Sequence, residues 1–414
     1  MLKKFVFSNV KTCRSLSTAT KIKPTTGVDI ISPRIGLTPD QEEYYNLAKS
    51  FSDNELKPYA SKWDEEAVFP METFKKFGEL GFGAMFVADD VGGTGLSRED
   101  TSVIIEGLAT GCVGTTAMLT IHNMCAGMID KFGNAQQREE YLPQMASLDI
   151  MASYCLTEPN AGSDAGSLQT KAVLDEATNE YVINGGKCFI SGAGLSNIYL
   201  VMCRTGTVAD GPKGISCMII PKDAEGLSFG ADERKMGWKV QPTRQVIFEN
   251  LRIPAANRLG DVGEGFKMAM AGLDGGRLNI GSCSLGAAQH CFETAVNYVK
   301  ERKQFNKSIA ENQAVQFKLA NMAANVQSAR LALRQAARLL DQKHPAAGVQ
   351  CAMAKRLATD KCFDVINDAL QLHGGYGYLK DYEMERYLRD VRVNQILEGT
   401  NEIMQHIVGR SIVS

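Results

Sequence analysis

Glu398 lies in the run Gln395-Ile396-Leu397-Glu398-Gly399-Thr400-Asn401-Glu402, with apolar residues on one side and glycine on the other. Apolar neighbours desolvate a charged carboxylate and raise its pKa. A glycine beside it lets a ligand approach the backbone, because no Cβ stands in the way. A carboxylate so placed suits proton abstraction near neutral pH. The same residues also read as a helix start, with Thr400 capping a helix that carries Ile403, Ile407 and Val408. Taken by itself, the run supports both readings.

A second run far upstream, Tyr154-Cys155-Leu156-Thr157-Glu158-Pro159-Asn160-Ala161-Gly162-Ser163-Asp164, sets the hydroxyls of Thr157 and Ser163 beside a glycine. Loops of this kind hydrogen-bond the edge of a flat polar ring or a phosphate. Phe189-Ile190-Ser191 offers an aromatic face followed by a hydroxyl. Gln371-Leu372-His373-Gly374-Gly375 ends in two glycines, which read as a helix C-cap or as a place of close backbone approach. Arg302, in Arg302-Lys303-Gln304-Phe305, is either a solvated helix end or a bidentate phosphate ligand.

Several other chemistries are unsupported. No Gly-x-Gly-x-x-Gly follows a predicted strand, and there is no Walker loop and no His-Glu-x-x-His. The five histidines are isolated; His122, His290 and His344 lack ligand-spaced partners, so no metal site is expected.

The residues that carry chemistry fall on three kinds of element. Residues 37–150 read as helical: Thr38 precedes Pro39-Asp40-Gln41-Glu42, and Ser97 precedes Arg98-Glu99-Asp100, each a cap followed by early acids. Residues 151–262 read as strands. Glu180–Ser191 is β-branched or aromatic on both sides of Asn184-Gly185, which predicts a hairpin turn there. Ile198–Cys203, Ile215–Ile220 and Val246–Phe248 are short apolar runs, so a small antiparallel barrel or sandwich is expected. Residues 263–414 return to helical spacing: Val315, Leu319, Met322, Val326, Leu333 and Leu340 form a stripe completed by Ala329 and Ala336. Arg330, Arg334 and Arg338 lie beside it. The expected architecture is α+β: an N-terminal helical domain, a middle β domain and a C-terminal four-helix bundle.

With 414 residues, 44% hydrophobic and 22% charged, the chain has material for two or three domains with sizeable cores. Its net charge of −2 gives no ground for a nucleic-acid partner. Residues 1–28 differ: they carry Lys3, Lys4, Lys11, Arg14, Lys21 and Lys23, no acid, and several Ser and Thr. That composition fits a mitochondrial transit peptide or a disordered basic tail, and the apolar side from Leu2, Phe5, Val6 and Val10 favours the transit peptide. Without those cations 39 basic residues face 47 acidic ones. The 11 cysteines contain no Cys-x-x-Cys pair and read as small buried hydrophobes in a reducing compartment. No apolar run approaches the roughly 20 residues of a membrane helix.

Taken in order and separation, three motifs resemble the flavin-dependent acyl-CoA dehydrogenases from about residue 37 to the end. They are Tyr154–Asp164, Arg302–Phe305 with Asn312-Gln313, and Gln371–Gly375 leading into Glu398–Glu402. Ser282–Ala288 and His373–Tyr382 are most similar to members of valine breakdown. The resemblance implies roles residue by residue. Tyr154 to Ser163 would line the FAD ring, with Thr157 at the flavin edge and Ser163 also facing CoA; Phe189, Ile190 and Ser191 would complete that pocket. Arg302, Asn312, Gln313, Gln371, Leu372, His373, Gly374 and Gly375 would hold the FAD diphosphate and adenosine across a subunit boundary. Thr400, Asn401 and Glu402 would close the cofactor site. Asp274, Gly275, Gly276, Arg277 and Arg410 would contact the acyl-CoA.

Glu398 falls on the family's usual catalytic base. Some relatives carry the base at the position of Gly276, where this chain has no side chain to take a proton. The Gly275-Gly276 pair either leaves room for a branched acyl group or permits close helix packing. The implied reaction is α,β-dehydrogenation of a short branched acyl-CoA, isobutyryl-CoA to methacrylyl-CoA, with electrons passed to electron-transfer flavoprotein from a homotetramer in the mitochondrial matrix. A 2-methylbutyryl-CoA or straight short-chain substrate, an acyl-CoA oxidase and a flavoprotein scaffold without turnover remain open.

Overall fold

The computed structural model describes residues 25–414. The expected transit segment, residues 1–28, lies almost wholly outside the described residues.

The first part is built of helices α1 (Pro39–Phe51), α2 (Lys57–Glu66), α3 (Met71–Glu79), α4 (Arg98–Ala109), α5 (Val113–Phe132) and α6 (Ala135–Ala146). Local chemistry fixes the starts of α1 and α4. Thr38 Oγ1 accepts from Gln41 N at 3.2 Å and Gln41 Oε1 from Thr38 N at 3.1 Å, with Pro39 at the first helical position. Ser97 and Asp100 exchange the same pair of bonds.

The middle part is one eight-stranded sheet. Its strands are β1 (Ala152–Cys155), β2 (Lys171–Asp175), β3 (Glu180–Ser191), β4 (Ile198–Arg204), β5 (Ile215–Pro221), β6 (Leu227–Phe229), β7 (Thr243–Pro254) and β8 (Arg258–Leu259). They run in the order β6-β7-β3-β2-β4-β5-β8, and β1 lies beside β4. Most pairings are antiparallel, but β1 and β2 pair parallel to β4. Strand β4 is buried on both faces. Ile198, Leu200 and Met202 face α5 and α6, while Tyr199, Val201 and Cys203 face a core inside the β unit.

The hairpin predicted at Asn184-Gly185 does not form. Strand β3 runs straight through it, and the pair sits where the β3–β7 register shifts between Ile183 and Gly185. Gly185 takes φ +141°, and a Cβ there would meet Thr170 at 2.8 Å, so the glycine serves a bulge. The β2–β3 hairpin turn comes earlier, with Asn179 at φ +54°. Gly226-Leu227-Ser228-Phe229-Gly230 has the spacing of a hydrolase nucleophile elbow, but Ser228 lies on edge strand β6, which leads into β7 and not into a helix.

The last part contains α7 (Gly265–Glu301), a two-stranded hairpin of β9 (Lys303–Gln304) and β10 (Lys307–Ser308), α8 (Gln313–Asp341), α9 (Ala347–His373), α10 (Met384–Arg392) and α11 (Asn401–Val413). Helices α7, α8 and α9 pack on one another and α11 closes against α9. One hydrophobic core joins the first and last parts, from Phe74, Ile104 and Leu108 to Leu285, Val326, Leu333 and Val365. Arg330 and Arg334, beside the stripe in the sequence, are both buried against Glu106 of α4. Among the described residues all ten cysteines are free and buried, and no helix is long and apolar enough to cross a membrane.

Candidate active site

Glu398 sits between the short α10 and α11 on a turn of two consecutive left-handed residues, Glu398 at φ +57° and Gly399 at φ +89°. Gly399 takes this conformation freely, whereas Glu398 pays for it, a sign of a side chain held in place for a purpose. Thr400 then caps α11, its Oγ1 accepting from Ile403 N at 3.3 Å. The two readings of this run are therefore compatible: the cap and the poised carboxylate are adjacent residues.

The Glu398 carboxyl is buried and its Oε2 has no hydrogen-bond partner. Burial pushes its pKa up to about 7, against the opposing charges of Arg277 and Lys355. It rests directly on α7 at Gly276, where an added Cβ would lie 2.4 Å from Glu398 Oε2. The space at Gly275 is likewise taken: a Cβ there would meet Arg98 Nη1 at 2.5 Å. Gly276 thus accommodates the carboxylate and Gly275 a guanidinium.

Substituting Gly276→Ala isolates this contact. The residue is in a regular helix, where alanine is favoured over glycine by about 1 kcal/mol, so the fold is expected to hold. The carboxylate must shift, and we expect substrate-dependent flavin reduction to slow roughly hundredfold. Thermal melting and stopped-flow reduction of the same sample separate the two effects.

Around Glu398 lies a cavity of about 410 Å³. Of the residues singled out in the sequence, Tyr154, Leu156, Thr157, Gly162, Ser163, Phe189, Ile190, Ser191 and Arg277 line it. Strand alternation explains who faces it: Tyr154 points toward the helices, while Cys155 turns into the β interior. A second register shift, between Lys187 and Ile190, leaves Phe189 at φ +59° and 67% exposed beside the cavity. Ser153 Oγ holds the carbonyl of Ser191 at 2.7 Å, and Cys188 N donates to Thr157 O at 2.9 Å, so both walls are fixed to one sheet.

Other expected site residues lie elsewhere. Glu158, Pro159, Asn160 and Ala161 border a separate depression on the β unit. Glu158 is paired with buried Lys187 at 2.7 Å and accepts from Gln169 N and Thr170 N; burial alone would raise its pKa, but these partners bring it below the usual range. Arg302, Gln371, Leu372, His373, Gly374 and Gly375 converge on a second pocket of about 400 Å³ that shares no wall with the first. Asn312 and Gln313 begin α8 outside that pocket's wall. Asn401 is buried, its amide bonded to Thr359 and Asp360. Glu402 and Arg410 are exposed on α11 and do not line the cavity. Asp274 holds Arg277 Nη1 at 2.6 Å, and Arg277 Nε reaches the Glu398 carbonyl at 3.4 Å, so this arginine braces the base turn.

The cavity also has a lining that carried no motif: Ile121 and Met124 from α5, Phe266, Met270, Leu273 and Ile280 from α7, and Ile403 and Ile407 from α11. The spacing of Ile403 and Ile407, one turn apart, was the only sequence signal among them. Trp238 lines it from the β6–β7 connection, held at φ +51° by a 2.6 Å bond from its N–H to Asp390 Oδ1.

The arrangement fits a flat polar cofactor. Tyr154 Oη, Trp238 Nε1 and Glu398 Oε2 are buried, unpartnered polar atoms of residues that line this cavity. Thr157, Ser163 and Ser191 add hydroxyls, and Phe189 adds an open aromatic face. Such a set suits an isoalloxazine edge and ring.

Comparison with known proteins agrees with this geometry. Residues 38–149, 153–251 and 263–413 match the N-terminal, middle and C-terminal domain models of acyl-CoA dehydrogenase. The chain is 52% identical over 409 residues to the mitochondrial isobutyryl-CoA dehydrogenase of Dictyostelium discoideum, covering 99% of this chain and 98% of that protein. It is 51% identical to the corresponding protein of Bos taurus, over 93% of this chain and 92% of the relative. The butyryl-CoA dehydrogenase structure from Megasphaera elsdenii superposes with a TM-score of 0.89 at 33% identity, covering 92% and 99% of the two chains. Three domain models in order and relatives matched along nearly their whole length place this chain in the acyl-CoA dehydrogenase family, as an FAD-dependent enzyme that dehydrogenates acyl-CoA thioesters.

Proposed function

We propose that the chain converts isobutyryl-CoA to methacrylyl-CoA, with Glu398 as the catalytic base. The observation that carries the base assignment is the buried Glu398 carboxyl, which lines the cavity, rests on Gly276 and has one oxygen without a hydrogen-bond partner. The substrate rests on the isobutyryl-CoA dehydrogenases that share half of its residues.

Glu398 takes the α-proton of the bound thioester. With a pKa near 7 it is matched to the acidified α-carbon far better than an exposed carboxylate. The Glu398 backbone N–H donates to the thioester oxygen as negative charge builds there, an interaction worth about 3 kcal/mol at the transition state. Arg277 and Asp274 keep that turn in place from α7. Ile121, Met124, Leu273, Ile280 and Leu397 wall the reacting carbons off from water. Thr157, Ser163 and Ser191 would hold the edge of FAD and Phe189 would face its ring; the bound cofactor would supply the hydride-accepting chemistry for the β-carbon. Ser163 also faces the CoA moiety.

The second pocket, with Arg302, Gln371, Gly374 and Gly375, would hold the diphosphate and adenosine of a FAD seated in another copy. Its separation from the Glu398 cavity supports association between copies, as does the exposure of Phe305, Phe317, Leu331 and Tyr378 on the last part of the chain; that the assembly is a homotetramer rests on the family resemblance. Electrons pass on to electron-transfer flavoprotein. The mitochondrial naming of the relatives and the basic, acid-free residues 1–28 support a matrix location.

Because only the ionised carboxylate accepts a proton, flavin reduction is expected to rise with pH through about 7 and to level off above it. A stopped-flow profile with its midpoint near the ordinary carboxylate value would contradict the buried base. The substrate assignment is tested by anaerobic bleaching with isobutyryl-CoA, 2-methylbutyryl-CoA and butyryl-CoA side by side. Isobutyryl-CoA should bleach fastest; a faster competitor moves the substrate, and bleaching by none of them removes the function.

A further inference from the structure

Lys355 of α9 is fully buried, yet it takes no part in the cavity wall. Its Nζ donates to the carbonyl of Gly399 at 2.8 Å and to Asn401 Oδ1 at 2.8 Å. One turn farther along the same helix, Thr359 Oγ1 and Asp360 Oδ1 accept from Asn401 Nδ2 at 2.9 and 2.7 Å. Asp360 Oδ1 also accepts from Gln395 Nε2 at 2.8 Å. One face of α9 thus grips the chain on both sides of Glu398.

Between those grips lie the two left-handed residues, Glu398 and Gly399. A non-glycine residue in that conformation costs on the order of 1–3 kcal/mol and persists only when its surroundings enforce it. The Gly399 carbonyl belongs to the peptide that leaves this turn, and Lys355 is its buried partner. A cation has no need to be buried for packing alone, since desolvating it is costly.

We infer that Lys355 is a positioning residue for Glu398: its bond to the Gly399 carbonyl holds the turn that seats the carboxylate on Gly276 and fixes a buried cation behind the base. The inference rests on the reading of Glu398 as the base. The charged and titratable groups around Glu398 are Arg277 and Asp274 from α7, Lys355 from α9, Tyr154 from β1 and Cys125 from α5. Asp360 and Glu402 also act on Lys355. Burial depresses the Lys355 ammonium to about 8, with Glu398 and Asp360 opposing, so it still carries its charge at neutral pH. Arg277 and Lys355 are the two cations that hold the Glu398 pKa down against burial. Without Lys355, Glu398 keeps its proton to higher pH.

The test uses the full-length, FAD-loaded enzyme carrying Lys355→Met or Lys355→Gln, with Glu398→Gln alongside. The Glu398 carboxyl is followed directly by infrared difference titration, its band being the one absent from Glu398→Gln, and flavin reduction is measured across pH. Both lysine variants should move the carboxyl midpoint upward by about one pH unit and slow reduction at pH 7 at least roughly tenfold. An unmoved midpoint overturns the inference, whether the rate falls or not. If the neutral variants do not fold, Lys355→Arg decides. It keeps the charge but cannot set one ammonium on both acceptors, so an unchanged midpoint with a slower rate supports the inference and a wild-type rate overturns it. Failure of the base reading shows separately: Glu398→Gln would then reduce its flavin at the wild-type rate.

Discussion

Glu398→Gln is expected to keep its FAD and bind acyl-CoA while reducing the flavin roughly a thousandfold more slowly than the wild type. Glutamine has nearly the same shape, so it can occupy the pocket against Gly276 and leave the left-handed turn intact. It cannot accept the α-proton. The loss should be largely independent of pH, because no titrating base remains, and this distinguishes it from a shifted midpoint. Flavin content and a charge-transfer or spectral response to added thioester report binding; anaerobic stopped-flow reports reduction. Near-wild-type reduction would assign the base elsewhere.

The second large effect concerns stability. Glu106→Ala is expected to destabilise the chain by about 3–5 kcal/mol, a large part of the margin by which a domain is folded. Glu106 is buried on α4, where its Oε1 accepts from Arg330 Nε at 2.9 Å and its Oε2 lies 3.4 Å from Arg334 Nη2. The same arginines reach Gln289 Oε1 and the carbonyls of Ile31, Pro33 and Ile35, so they fasten the segment before α1 to the last part of the chain. Removing the carboxylate leaves two guanidinium groups in the core with no anion. Denaturant melts of Glu106→Ala and of Glu106→Gln, which retains an acceptor, check this; the alanine variant should lose clearly more. A loss within about 0.5 kcal/mol, as for an ordinary surface substitution, would contradict it.

What the sequence made legible was local. Thr38, Ser97 and Thr400 announce helix starts, because a capping box or cap needs only residues three apart. Glu398 was legible from its apolar and glycine neighbours, and the order of the motifs pointed to the family. What failed depended on distant partners. Asn184-Gly185 has the chemistry of a turn, but β7 pairs along β3 past that point and converts it to a bulge. Arg330 and Arg334 sit among the stripe residues of α8, and nothing nearby shows that Glu106, more than 200 residues earlier, buries them. Gly275-Gly276 read equally as room for substrate or for close packing, and nothing nearby in sequence shows that the Glu398 carboxyl rests on Gly276. Within Tyr154–Ser163, membership of a motif did not say which side chain faces the cavity; strand alternation and the Glu158–Lys187 pair decide that. Trp238, Phe266 and Met270 had no signature at all, since an apolar wall is defined by assembly and not by spacing.

The central claim is that Glu398 removes the α-proton of a bound acyl-CoA. The most direct measurement is exchange of the α-hydrogen of isobutyryl-CoA with solvent deuterium, followed by mass spectrometry under anaerobic conditions for the wild type and Glu398→Gln. The account predicts deuterium at the α-carbon with the wild type, rising with pH through about 7, and none above background with the variant. Equal exchange by both proteins would contradict it.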